Sequence, residues 1–292
     1  MSNGTRIAVI GGDRRQIYAA DYLSQAGYKV NTYGLCDLPQ YATPCETYTE
    51  ALENIHIILL PLPVTRDHLQ INGTDLSLSS FLSHLTAQTT VFAGMPEKEL
   101  IDEMKTRGAN VIDYAENEVF KIQNALPTAE GAVAIAMGEL RRTLSGSRAL
   151  IIGYGRIGKL LGDLLKNMGC DVSIAARKDT DLALARLHGC HSIRIQTEKG
   201  SSVLDIPSQF HVIFNTAPVR LIGEGVLRQL SHDTVLIDLA SAPGGIDYDA
   251  ANRLGIKTVV ALSLPGKLTP ITAGEIIGEL VSASIEGGQA NA

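Results

Sequence analysis

The chain has 292 residues, with 25 Lys and Arg against 31 Asp and Glu for a formal net charge of -6; 45% of it is hydrophobic, 19% is charged and it contains no Trp. This is the composition of a soluble globular protein with room for two domains of ordinary size. The acidic balance and scattered cations exclude a nucleic-acid footprint, and no apolar run, the longest lying around residues 55–60, is long enough to span a bilayer.

The N-terminal Met1-Ser2-Asn3-Gly4-Thr5-Arg6 lacks the apolar core of a signal peptide, so a cytoplasmic location is expected. From Arg6 the apolar run to Ile10 predicts a strand. Gly11 then predicts a turn, followed by a helix to about Gly27 and a second strand over residues 28–32. Further strands are predicted at 55–60, 90–93 and 110–112, with helices near 76–84 and 96–107. Pro127-Thr128 reads as a capped helix start, Thr128 being the N-cap, and this helix leads to a strand at Arg148.

From Arg148 the opening pattern returns. Arg6 matches Arg148, Gly11 matches Gly153, Gly27 matches Gly169 and Val30 matches Val172, all at one constant offset. Strands follow at 171–175, 212–215, 234–238 and 257–260, with helices near 180–188, 223–230, 248–254 and 272–286. Strands alternating with helices of this length predict an α/β protein with two Rossmann-like parallel-sheet domains and a cleft between them. The expected division is a substrate domain over 1–125, with a C-terminal helix over 272–292 packing back on it, and a dinucleotide-binding domain over 126–271. Cys36, Cys45, Cys170 and Cys190 have no CxxC spacing and read as inert thiols. The seven His show no HxxxH or HExxH pattern, with His188 and His191 flanking a turn, so no metal site is expected.

The second copy carries Gly153-Tyr154-Gly155-Arg156-Ile157-Gly158 between an apolar strand and an amphipathic helix, the context a dinucleotide fingerprint requires. Gly153 permits the tight turn, Gly155 lets backbone approach a diphosphate, and Gly158 lets helix and strand pack closely. The helix start then offers N–H groups and its dipole to the anion. An NAD site places Asp or Glu about 20 residues on, for the ribose 2′-OH. Here the strand tip reads Ala175-Ala176-Arg177-Lys178, and two cations suit a 2′-phosphate, so NADP is the expected cofactor. Asp179 and Asp181 stand against that choice. Asn215-Thr216-Ala217-Pro218 after one strand is expected under the nicotinamide ribose, and Asp238-Leu239-Ala240-Ser241 after the next is expected near the nicotinamide ring.

In the first copy Asp13 stands where Gly155 does and Gln16 where Gly158 does, so no dinucleotide is expected there. Arg14 is a candidate for an anionic substrate or a plain surface charge. Two Pro-marked stretches, 124–131 and 264–274, read as loops over the nicotinamide face. On the first, Thr128 with N–H groups at a helix start suits a substrate carboxylate, or simply caps the helix. Glu130 suits a general base, or compensates the dipole of the first turn. Asn124 is the third candidate catalytic residue, chosen by placement.

Taken together and in order, Gly11-Gly12-Asp13-Arg14-Arg15-Gln16, Asn124-Ala125-Leu126-Pro127-Thr128-Ala129-Glu130-Gly131, Asp238-Leu239-Ala240-Ser241-Ala242-Pro243-Gly244-Gly245 and the stretch from Leu264-Pro265-Gly266 to Pro270-Ile271-Thr272-Ala273-Gly274 resemble the A chain of dipicolinate synthase. The resemblance runs from Arg6 to about Leu280. It implies oxidation of dihydrodipicolinate, or its hydrated precursor, to pyridine-2,6-dicarboxylate in a branch of the lysine pathway during sporulation. It also implies the mother-cell cytoplasm as the location. The implied partner is the flavoprotein-like second component of dipicolinate synthase, its B component. A homodimer or higher oligomer is expected from the fold class.

Other readings remain at this point. A 2-hydroxyacid dehydrogenase shares the Gly-rich loop, but no Arg stands in Asp238-Leu239-Ala240-Ser241 and no His follows His232. A methylenetetrahydrofolate dehydrogenase would need a catalytic Lys, for which Lys121 is a poor match. An NADP-sensing regulatory subunit without turnover fits the same fingerprint.

Overall fold

A computed structural model describes residues 4–198, 201–207 and 209–290. The chain divides into two compact units, one formed by Met1–Asn124 and Pro265–Ala292, the other by Ala125–Leu264. Residues 291 and 292, the expected end of the C-terminal helix, lie outside the described residues.

The first unit contains β1 (Arg6–Ile10), α1 (Arg14–Gln25), β2 (Lys29–Tyr33), β3 (Thr43–Pro44), α2 (Tyr48–Ala51), β4 (Ile57–Leu59), α3 (Leu78–Ser83), β5 (Thr90–Ala93), α4 (Lys98–Thr106), β6 (Asn110–Asp113) and α5 (Glu118–Gln123). Its six strands are parallel throughout, in the order β3-β2-β1-β4-β5-β6. Successive side chains of a strand point to opposite faces, and a parallel sheet is covered on both. Ile7 and Val9 accordingly enter one core, with Ala19, Ala20 and Leu23 of α1, while Ala8 and Ile10 enter the other, with Phe81 and Met104.

The second unit runs through α6 (Ala125–Glu139), β7 (Arg148–Ile152), α7 (Arg156–Asn167), β8 (Asp171–Ala176), α8 (Asp179–Leu187), β9 (His191–Arg194), a short antiparallel hairpin of β10 (Gln196–Glu198) and β11 (Ser201–Val203), β12 (Val212–Asn215), α9 (Glu224–Leu227), β13 (Val235–Asp238), α10 (Tyr248–Arg253) and β14 (Lys257–Val260). The parallel sheet has the order β14-β13-β12-β7-β8-β9. Read from the β9 edge this is the first unit's arrangement again: third, second, first, fourth, fifth, sixth. That is the doubly wound dinucleotide-binding order, whose ligand crevice opens where the strand order reverses, outside the carboxyl ends of the first and fourth strands. Ala149 and Ile151 face one core and Leu150 and Ile152 the other, all fully buried, matching Ile7 to Ile10 in the first unit.

Two helices close the chain, α11 (Leu264–Leu268) and α12 (Pro270–Ala290). α12 lies along α1, and its glycines allow that approach. A Cβ on Gly274 would stand 2.5 Å from the Arg15 carbonyl and 2.6 Å from Tyr18 Cβ, and one on Gly278 would stand 2.7 Å from the Tyr22 ring.

The main strands and helices fall where the periodicity predicts them, but α2, α5 and the β10–β11 hairpin are additional and other stretches differ. The two Pro-marked stretches are largely helical rather than loops: α6 begins at Ala125, and α11 and α12 take up most of 264–274. Pro127, Pro265 and Pro270 all fall in first turns, where the N–H that Pro lacks would have no intrahelical partner. It follows that Thr128 is not an N-cap but a buried residue inside α6, and that Glu130 is exposed in the second turn, too far in to compensate the helix start. Finally, β3 and β9 are edge strands with no apolar alternation of their own. Each pairs with one neighbour only, so tertiary context makes them strands.

Candidate functional site

The two β-α-β copies start their helices from matching N-cap backbones, at Asp13 and Gly155, with opposite chemistry. In the first unit, Asp13 caps α1, and its carboxylate accepts from the Arg15 N–H at 3.1 Å, Arg15 Nε at 2.9 Å and Arg15 Nη2 at 2.8 Å. The Gln16 side chain reaches back to accept from the Asp13 N–H, closing a capping box. Arg15, only 5% exposed, also donates to the Leu62 carbonyl at 2.6 Å. Burial pushes the Asp13 carboxyl up, but the hydrogen bond and charge of Arg15 outweigh it and hold the group below the usual carboxylate range. The donors and dipole that a phosphate would seek at this helix are already answered by the chain's own side chains. Arg14, next in sequence, is exposed.

In the second unit Gly155 takes the N-cap position of α7 with φ -79° and ψ -160°, close to the Asp13 backbone at φ -105° and ψ -169°. No side chain caps this helix and no acid lies in its first turn. A Cβ built on Gly155 would meet nothing within 4 Å, so an open cradle stands where the first unit has a carboxylate. The two flanking glycines are required by contact. A Cβ on Gly158 would lie 2.3 Å from the Gly153 carbonyl, and one on Gly153, which has φ +98°, would lie 2.4 Å from Thr216 Oγ1. Thr216 is held there by donating its hydroxyl to the Ile152 carbonyl at 2.9 Å.

Beside this turn, at the tip of β8, is a cavity of about 230 Å³ lined by Gly153, Tyr154, Arg177, Lys178, Asp181, Ala217 and Pro218, among others. Arg177 and Lys178 are exposed at its mouth. Asp179 is ion-paired with Arg194, whose guanidinium also donates to the Arg177 carbonyl at 2.7 Å. Asp181 remains on the cavity wall. The charge at the mouth is therefore two cations against one carboxylate. The Tyr154 ring is buried in the core, so this residue lines the cavity from its packed position.

A second cluster lies under the fourth and fifth strands of the same sheet. Asp238, the last residue of β13, is fully buried. Its Oδ1 accepts from Asn215 Nδ2 at 2.8 Å and the Ala240 N–H at 3.1 Å. Its Oδ2 accepts from the Gly245 N–H at 3.0 Å and the Tyr248 hydroxyl at 2.6 Å. Four donors fill the four lone-pair positions of one carboxylate. Asn215, fully buried at the end of β12, links the network to the neighbouring loop by donating to the Ala217 carbonyl at 3.0 Å. Burial, with the hydrogen bond to Asp238 and the charge of its carboxylate, pushes the Tyr248 phenol well above its ordinary range. A Cβ on Gly245 would overlap the Asn215 amide at 2.2 Å, so the glycine pair Gly244-Gly245 lets the β13–α10 loop close over these side chains.

Of the residues singled out from sequence, Gly153, Tyr154, Arg177, Lys178, Ala217 and Pro218 meet at one cavity. Gly155, Arg156, Ile157 and Gly158 form the adjoining helix start, Thr216 packs against Gly153, and Ala240 donates to Asp238. Asn124 ends α5 in the first unit. Thr128 and Glu130 belong to α6 in the second, and none of these three lines the cavity. Asn215 and Asp238 stand in the two stretches expected along the nicotinamide half, but their shared network is not foreseen from sequence, and Tyr248 is passed over. The available signal was an acid closing the apolar strand Val235-Leu236-Ile237-Asp238, with two glycines shortly after it.

Comparison with known proteins places the chain among named relatives. Residues 6–115 match the family of the N-terminal domain of the dipicolinate synthase A chain. The dipicolinate synthase A chain of Bacillus subtilis (strain 168) is 28% identical over 290 residues, covering 97% of this chain and 96% of that one. The crystal structure of the A chain of dipicolinate synthase from Bacillus subtilis superposes with a TM-score of 0.85 at 26% identity, over 100% of this chain and 99% of its own. That of the corresponding chain from Bacillus halodurans gives 0.84 at 26% identity, over 97% and 98%. The resemblance drawn from the four motifs thus extends over the full chain, in sequence and in fold.

Proposed function

We propose that this chain, a relative of the dipicolinate synthase A chain along its whole length, is an NADP-dependent oxidoreductase that forms dipicolinate from dihydrodipicolinate or its hydrated precursor during sporulation, alongside the B component of that enzyme. The observation that carries the cofactor reading is the contrast between the two helix starts. One is sealed by Asp13 and Gln16; the other is uncapped, with Gly155 facing open space. The start of α7 suits a diphosphate. Arg177 and Lys178 suit a 2′-phosphate, with Asp179 neutralised by Arg194.

Oxidised nicotinamide supplies a hydride acceptor when bound. Converting a dihydropyridine dicarboxylate to the aromatic pyridine removes one hydride and one proton, and aromatisation favours the products. The protein's task is to orient the ring and hold its carboxylates. For the proton we propose Glu130, which is exposed and able to exchange with solvent; Thr128 and Asn124 are proposed as carboxylate contacts.

The test is to mix the full chain with NADP and freshly prepared dihydrodipicolinate and follow NADPH and pyridine absorbance together. Both signals are expected to rise in equal amounts. NADPH binding without turnover, whether the B component is absent or present, would refute the enzyme reading in favour of a nucleotide-sensing role.

A further inference from the structure

The Asp238 cluster has an electrostatic property that its role as a loop anchor does not require. All four groups that touch the carboxylate are uncharged: an amide, a phenol and two backbone N–H groups. Among the described residues no ion pair involves it, although Arg15 in the first unit shows that this chain can bury a guanidinium beside a carboxylate. A buried anion without a counter-cation keeps a negative potential around it, because the low-dielectric core screens it little.

Its place in the fold says where that potential falls. Asp238 and Asn215 end the fifth and fourth strands, on the far side of the switch point from the β8 tip with Arg177 and Lys178. The doubly wound fold binds a dinucleotide across the switch point, one nucleotide over each half of the sheet. With the phosphorylated adenosine at β8, the nicotinamide half would lie over β12 and β13.

We propose that Asp238 sets the preference of the site for the oxidation state of the dinucleotide, its buried carboxylate favouring the cationic, oxidised nicotinamide ring over the neutral, reduced one. This rests on the cofactor reading above. It makes Asp238 a specificity-determining residue acting through space, and gives the absence of a cation partner a function: a paired carboxylate would anchor the loops equally well but could not tell the two ring states apart. The bias suits an enzyme that must bind oxidised cofactor and release it reduced.

The experiment measures dissociation constants of NADP and NADPH at about pH 8 for the full-length wild type, Asp238→Asn and Tyr248→Phe, with adenosine 2′,5′-bisphosphate as a probe of the adenosine half. Asp238→Asn is expected to weaken NADP relative to NADPH about tenfold, the effect of a unit charge roughly 12 Å away at an effective dielectric constant of about 20, and to leave the bisphosphate affinity unchanged. Tyr248→Phe removes a donor that offsets the charge, so the preference for NADP should rise about twofold to threefold. This second variant keeps the proposal open to refutation if Asp238→Asn fails to fold. If wild type binds both nucleotides and the ratio stays the same in the folded variants, the proposal is overturned and the cofactor reading stands. If wild type binds neither the nucleotides nor the bisphosphate, the cofactor reading fails and the proposal falls with it.

Discussion

Replacing Gly155 with Asp would copy the cap of α1 onto α7 and should separate stability from binding. The backbone accepts the change, since Gly155 lies in the extended region occupied by any residue and its added Cβ meets nothing within 4 Å. Two effects stabilise the free protein. An Asp N-cap improves on Gly by a few tenths of a kcal/mol, and loss of Gly flexibility in the unfolded chain adds roughly 0.4–1 kcal/mol. Together they come to about 1 kcal/mol, a rise in melting temperature of about 2–4 °C. The same carboxylate would face the diphosphate. Repulsion of one unit charge at about 4 Å and an effective dielectric constant of about 20 costs about 4 kcal/mol, which weakens NADPH binding roughly a thousandfold. Scanning calorimetry without nucleotide reads the first effect and a fluorescence titration with NADPH the second. Unchanged affinity would show that no diphosphate rests at the start of α7. Lost affinity accompanied by lost stability would show that the variant had merely disrupted the turn.

Arg177→Asp should lower NADP affinity by about tenfold to a hundredfold, the worth of a hydrogen bond to a charged group, and improve NAD; titration with both nucleotides checks it, and an unaltered preference would remove Arg177 from the 2′-phosphate contact. His211 accepts from the Arg148 N–H at 3.0 Å, and burial, with Arg142 and Arg148 close by, pushes its pKa below the ordinary 6.5. The unfolded chain then binds the proton more readily, so this group's stabilisation is present above about pH 6.5 and is lost as pH falls from there through the folded pKa. His211→Gln should flatten that part of the stability profile, read as urea midpoints at about pH 7.5 and about pH 5.5; identical pH slopes in both proteins would refute the assignment.

The parts of the fold legible from sequence are those set by local chemistry. Ile7 to Ile10 and Ala149 to Ile152 are apolar at every position because both faces of their sheets are covered, and glycines at matched positions mark the turns that follow. Asp13 and Gln16, in place of two fingerprint glycines, foretell the sealed helix start of α1. What is hidden depends on partners distant in sequence. β9 is a strand because β8 lies beside it. The helical path of 264–274 is obscured by prolines that interrupt helices in most positions and are tolerated in the first turn. The Asp238 cluster brings together residues from the ends of two strands and a helix start, so no single stretch of sequence displays it. Asp179 reads as an opponent of the 2′-phosphate until Arg194, on the edge strand, is found paired with it.

The return of the C-terminal segment to the first unit has a consequence for biosynthesis. Ala125–Leu264 is one uninterrupted length of chain inserted within the other unit, whose α1 surface is complete only when α12 arrives. At a synthesis rate of roughly 5–20 residues per second, the half translated first must wait on the order of 10 seconds or more for its last helix. During that time the inserted half can finish folding, and the face of α1 around Tyr18 and Tyr22, against which Gly274 and Gly278 later pack, stands open. A nascent chain stalled before Pro270 would leave exposed the α1 surface that α12 covers.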